Sequence, residues 1–177
     1  MRLFLDIDGV LADFTTAANV LHCKQGFIPS RYDYFFDWGM TEADFWAPIN
    51  KAGDPFWAGI EELPHCHEVV AVCEKHFGVR LCLLSNAAFS GRREWINRKL
   101  GTRFHNRYLL GPAKPFCAGP DCVLVDDCEA NVESFTRAGG IGVLFPASYN
   151  RLRDVGGKVS YLDEELKAIV RSPVPSA

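Results

Sequence analysis

Three short apolar runs constrain what this chain can fold into more than any other feature. Leu3, Phe4, Leu5 and Ile7 make the first, residues 79–84 the second and residues 122–125 the third. Each has the length of a buried strand. Each stops at polar residues: Asp6 and Asp8, then Ser85 and Asn86, then Asp126 and Asp127. Helix patterns lie between and after them. One covers about 13–25. Another opens at Pro64 and runs to about Phe77, where Gly78 ends it. Further helices are expected over 90–100, closed by Gly101, over 129–138 and over 161–170. Shorter strands are expected near 107–110 and 141–145. Strands alternating with helices specify an α/β fold with a parallel sheet flanked by helices. Parallel strands bring their C-terminal ends to one edge, where ligands bind. The three polar pairs therefore converge, with Lys114 on the adjacent Gly- and Pro-rich loop at 111–115.

Composition sets the outer limits. A length of 177 residues, 48% apolar, suits one domain with at most a modest insertion. Residues 26–63 change character and hold most of the large aromatics, among them Tyr32, Tyr34, Phe36, Trp38, Phe45, Trp46 and Trp57. Within them, Thr41 and the acidic residues after it read as a helix N-terminus. The net charge is −3, and basic residues are scattered apart from Arg92, Arg93, Arg98 and Lys99. That pattern excludes an extended nucleic-acid surface. No apolar run has the length of a membrane span, and no signal-peptide pattern precedes the first strand. A cytoplasmic protein, monomer or homodimer, is expected. The seven cysteines are an odd count and read as reduced thiols. Cys117, Cys122 and Cys128 lack zinc-site spacing. His65, Cys66 and His67 read as an exposed first helical turn, and residues 171–177 as a frayed tail.

The first strand carries the chemistry. Asp6 and Asp8 share a strand face, and Gly9 lets the chain turn away. Paired carboxylates there suit a hard cation such as Mg²⁺ and the phosphate that accompanies it. Cleaving a phosphate monoester needs a nucleophile shielded from the phosphate's charge, a proton for the leaving oxygen and donors for the equatorial oxygens. Asp6 suits the nucleophile and Asp8 the general acid and base. Asp6 with the Asp126–Asp127 pair suits the metal. Ser85 with Asn86, the Lys114 ammonium and a nest of backbone N–H groups around Gly9 suit the phosphate oxygens. Most of the aromatic residues from Tyr32 to Trp57 read as the insertion's own packing, and Phe14, Phe36 and Trp38 are those expected to line a substrate pocket.

Asp-x-Asp-Gly-Val at the first strand, Ser85 ending the second, a loop Lys114 and a strand ending in Asp126–Asp127 occur here in that order. This order resembles the four motifs of the haloacid dehalogenase (HAD) superfamily. The resemblance implies a Rossmann-like core over residues 1–12 and 78–177. It implies a small, mainly helical cap at 13–77, inserted after the first strand. It implies Asp6 as nucleophile and Asp8 as acid/base, the latter also offering its backbone carbonyl to Mg²⁺. Asp127 becomes the direct metal ligand with Asp126 in support. The run from Asp8 to Phe14 and the segment 56–64 resemble the 5′(3′)-deoxyribonucleotidases more closely. That likeness implies a nucleoside monophosphate as substrate and adds Arg92, three residues before Trp95, as a phosphate ligand. The chain departs from those enzymes at Asn86–Ala87 and at Cys128. A sugar phosphate or another small phosphate ester is therefore the alternative substrate. A receiver-type phospho-accepting domain would need its acidic pair first and its phosphorylated Asp on the third strand, which is not the order here.

Overall fold

The computed structural model describes residues 1–111 and 114–171. Strand β1 (Arg2–Leu5) is buried along Leu3, Phe4 and Leu5. A strand buried on both faces has apolar residues throughout, because its neighbours cover each side. It pairs in parallel with β2 (Leu81–Ser85) on one side and β4 (Cys122–Asp126) on the other. Strands β3 (Tyr108–Leu110) and β5 (Ile141–Leu144) close the edges, giving the all-parallel order β3-β2-β1-β4-β5.

Alternate side chains divide between two layers. Leu3, Leu5, Leu83, Val123 and Val125 join the larger core. That core takes in α4 (Cys66–Phe77), α5 (Ser90–Leu100) and α7 (Lys158–Arg171). Phe4, Leu84, Cys122 and Leu124 face the other way and meet Phe135 of α6 (Glu129–Arg137). Among the described residues, no helix is long and apolar enough to cross a membrane.

The aromatic-rich segment rises from the C-terminal edge of β1. It contains α1 (Phe14–Leu21), a 3₁₀ turn at Tyr34–Trp38, α2 (Glu42–Ala52) and α3 (Asp54–Gly59). Thr41 caps α2 with the reciprocal Thr41–Asp44 bonds that the sequence signals. Its two ends lie side by side where they leave the sheet: Asp13 N–H donates to the Glu61 carbonyl and Leu63 N–H to the Leu11 carbonyl, each at 2.8 Å.

Several boundaries differ from expectation. Helix α4 packs against β1, β2 and α7, so it belongs to the layer over the sheet rather than to the expected cap at 13–77. Its inward residues Val69, Val70, Cys73 and Phe77 are buried in the sheet's core, and burial decides the layer. Residues 78–80 form a 3₁₀ turn, leaving Val79 exposed ahead of β2. Gly78 at φ +55° ends α4, and the chain needs that turn to enter the sheet. Helix α1 stops at Leu21, with Cys23 at φ +55°. In the His65–His67 segment only His67 is exposed, while Cys66 is buried at the first turn of α4. The end of the tail lies outside the described residues.

Candidate active site

The ends of β1, β2 and β4 deliver the polar residues together. Asp6 follows β1 and is held by its own N–H donating to the Val125 carbonyl at 2.9 Å. Lys114, also buried, places its Nζ 2.8 Å from Asp6 Oδ1 and 2.6 Å from Asp126 Oδ2. The other Asp126 oxygen accepts from Cys128 N–H at 2.9 Å and from the Asn131 amide at 3.2 Å. Asp126 is thus pinned behind the site. Asp127 faces the open side, where Tyr149 donates its hydroxyl to Oδ2. Asn150 fastens the loop beneath by donating to the Asp127 carbonyl at 2.9 Å and to the Phe145 carbonyl at 2.8 Å.

One oxygen from each of Asp6, Asp126 and Asp127 lies within 4.8 Å of the others, and all three residues are buried. Three carboxylates share one ammonium, so the cluster lacks positive charge. Burial, and then Asp126 beside it, push the Asp127 carboxyl up to about 7. Burial and the Asp126 charge likewise raise Asp6, against the pull of Lys114. Burial by itself would lower Lys114, but the charges of Asp6 and Asp126 outweigh it and hold the ammonium protonated. Hard oxygen donors crowded until they resist ionisation fit a bound Mg²⁺, which would restore their charge.

Asp8 stands apart from that cluster. Its Oδ2 accepts from Ser85 Oγ at 3.2 Å, and Ser85 Oγ itself accepts from Ala87 N–H at 3.1 Å. Its Oδ1 accepts from the Arg92 guanidinium.

A cavity of about 390 Å³ opens onto these groups. Asp6, Asp8, Lys114 and Asp127 line one end. The rest is walled by Phe14, Trp46, Trp57 and Phe89, with Tyr34, Phe35 and Phe45 beyond them. Phe14 and Phe89 stack on Trp57, with centroids 5.7 and 5.5 Å away and planes within 20° of parallel.

Phe14 lies in the cavity wall where expected, and so does Asn86. Phe36 and Trp38 do not. Phe36 points to solvent under the Arg31 guanidinium, and Trp38 packs inside the insertion against Phe27, Tyr34 and Phe45. A small insertion needs its own core, and large rings supply it. Arg92 is fully buried, bonded to Asp8 and absent from the cavity wall. Gly9 lines the cavity, but its N–H is taken by the Ala12 carbonyl at 2.9 Å. Its contribution is the absence of a side chain beside Asp127 rather than a donor for phosphate.

Sequence reasoning missed Tyr149, Tyr32 and Asn131, all of which line the cavity. Tyr149 follows β5, whose C-terminal end lies on the same sheet edge as the other three. That edge was the available signal. Tyr32 reaches in from the insertion to meet the Tyr149 ring edge-on, with centroids 6.0 Å apart.

No family model matches the sequence, and no curated protein does. Solved structures do match. A HAD family hydrolase from Deinococcus radiodurans with bound phosphate and sodium aligns over 96% of this chain and 94% of its own, at 16% identity and TM-score 0.55. A haloacid dehalogenase-like protein from Agrobacterium tumefaciens covers 96% and 99%, at 15% identity and TM-score 0.61. Magnesium-bound YfnB from Bacillus subtilis, described as a HAD hydrolase, covers 97% and 98%, at 14% identity and TM-score 0.58. Likeness at that identity speaks to architecture: the chain has the Rossmann-like α/β fold of the HAD hydrolases.

Proposed function

We propose that this protein is a Mg²⁺-dependent phosphomonoesterase that dephosphorylates nucleoside monophosphates through an aspartyl-phosphate. The observation that carries the reading is a single cavity with Asp6, Asp8, Lys114 and Asp127 at one end and stacked aromatic rings over the rest. A phosphate group suits the first end, and a flat base suits the second.

Asp6 attacks phosphorus while the bond from phosphorus to the ester oxygen breaks. Asp8 delivers a proton to that leaving oxygen. Asp8 then removes a proton from water, and the water attacks the aspartyl-phosphate, freeing Asp6 and inorganic phosphate. Asp6 and Asp127, with Asp126 behind them, would hold Mg²⁺, which supplies charge neutralisation for the phosphate oxygens. Lys114 offers its ammonium to the same oxygens, with Asn86 just beyond β2 in the same wall, while Ser85, expected as a phosphate ligand, spends its one hydroxyl proton on Asp8. The segment 13–63 is the substrate-facing cap, and α4 belongs to the core.

A second reading, hydrolysis of a sugar phosphate or similar ester, draws support from Thr15, Asn50, Asn86 and Asn131, polar side chains in the same wall. The deciding measurement is phosphate release from deoxy- and ribonucleoside 5′- and 3′-monophosphates and several sugar phosphates, with and without Mg²⁺. Nucleotide turnover that needs Mg²⁺ and disappears in Asp6→Asn is the expected result. Turnover of sugar phosphates alone would replace the substrate and keep the mechanism. No turnover of any ester would overturn the reading.

A further inference from the structure

Arg92 is the second-largest fully buried side chain in the protein, and burial of a charged group demands an explanation. Its only hydrogen-bond partner among the described residues is Asp8: Nη2 donates to Oδ1, while Nε and Nη1 find none. The guanidinium instead lies over two indole faces. Trp57 of α3 is 5.0 Å from it and Trp95 of α5 is 5.5 Å away. Both faces attract the cation and exclude water from it.

Those two rings come from both parts of the protein. Trp95 is anchored by Nε1 donating to the Ile60 carbonyl at 2.7 Å, at the end of the insertion. Trp57 belongs to the insertion and to the ring stack that lines the cavity. Arg92 itself is not in the cavity wall. With Ser85 Oγ on Oδ2 and Arg92 on Oδ1, both oxygens of Asp8 are held, and the rotation of its carboxylate is set.

We propose that Arg92 is a positioning residue that orients the Asp8 carboxylate toward the ester oxygen, held for that purpose against Trp57 of the insertion and Trp95 of the core. It is not a phosphate ligand. This inference rests on the phosphomonoesterase reading, in which Asp8 protonates the leaving oxygen. A bidentate-capable guanidinium suits the task better than an ammonium, because its planar fork restricts the partner's rotation.

Leaving groups separate the two roles. Phenoxide leaves poorly and needs a proton from Asp8; 2,4-dinitrophenoxide leaves without one. Arg92→Met keeps the volume and removes the donor. We expect it to lower kcat/KM, which reports transfer to Asp6 and not the later attack of water, by about 100-fold on phenyl phosphate and by less than roughly fivefold on 2,4-dinitrophenyl phosphate. Inhibition by inorganic phosphate should stay within about twofold of wild type. The ratio of the two rates is taken within one preparation, so a poorly folded fraction cancels. Arg92→Lys should recover part of the lost discrimination, and it provides the same ratio where Arg92→Met does not fold. Equal losses on both esters, with weaker phosphate inhibition, would make Arg92 a phosphate ligand and overturn the proposal. Unchanged kinetics in both variants would reduce Arg92 to packing and overturn it as well. A wild-type protein that hydrolyses neither ester would instead bring down the phosphomonoesterase reading, and this inference with it.

Discussion

At Gly9 the backbone takes φ +78°, and a Cβ there would lie 1.9 Å from the Asp127 carboxylate and 2.5 Å from the Tyr149 hydroxyl. Gly9→Ala therefore combines an unfavourable left-handed conformation with a collision at the acidic cluster. Tyr149→Phe is gentler: it removes the one hydroxyl donated to Asp127 and leaves the ring in place. Partners of this kind around a metal ligand are worth about 10–100-fold in affinity. Calorimetric titration should show Mg²⁺ binding weakened by that factor in Tyr149→Phe and by more in Gly9→Ala. The acids also make a pH prediction. Asp6 and Asp127 are raised in the folded protein, Asp127 to about 7, so without metal the native state holds protons that the unfolded chain has already released. Stability of the EDTA-treated protein should then fall as pH rises from about 4 through 7. Urea midpoints across that range test this, and Asp127→Asn should flatten the slope. Saturating Mg²⁺ should reverse it, because the ion binds the ionised form.

Among the elements, α3 and α5 are joined by side-chain and backbone contacts together. Helix α5 has no side-chain cap of its own, since Phe89 stands at its N-cap. Asp54 of α3 serves instead, accepting from Ser90 Oγ and from Gly91 N–H, the latter at 2.9 Å. Arg98 donates to the Ala58 carbonyl, and Lys99 pairs with Glu61 at 2.6 Å. Gly91 makes this approach possible: a Cβ there would meet the Asp54 carbonyl oxygen at 2.1 Å, and backbone cannot step aside. Gly91→Ala is expected to cost about 1–3 kcal/mol in a urea melt, by separating the two helices. The helices themselves were legible. The Thr41–Asp44 capping box and the Pro64-to-Gly78 frame of α4 are local signals, written within a few residues. A cap donated from 37 residues away is not local, and no periodicity reveals it.

The whole molecule joins a five-stranded sheet to an insertion that roofs one end of it. A ligand that binds only the folded form stabilises it by mass action. Mg²⁺ at 100 times its dissociation constant should add about 2.7 kcal/mol, read as a rise in Tm that is absent in Asp6→Asn/Asp127→Asn. At this scale the sequence by itself determined the sheet. Short buried runs alternating with amphipathic segments admit few other arrangements, and parallel strands must end together. It also placed Asp6, Asp8, Ser85, Lys114, Asp126 and Asp127 at one edge, because each adjoins a strand end or its loop. The tertiary structure alone decided which aromatic rings of the insertion face the cavity and which fill its interior. Phe14 and Phe36 have the same chemistry, and only packing separates a wall residue from a surface one. It alone turned Arg92 toward Asp8, brought Tyr149 onto Asp127 and assigned α4 to the sheet. Each of these depends on contacts between segments distant in sequence, and the pattern of apolar and polar residues along a chain specifies which side of an element is buried, not what it is buried against.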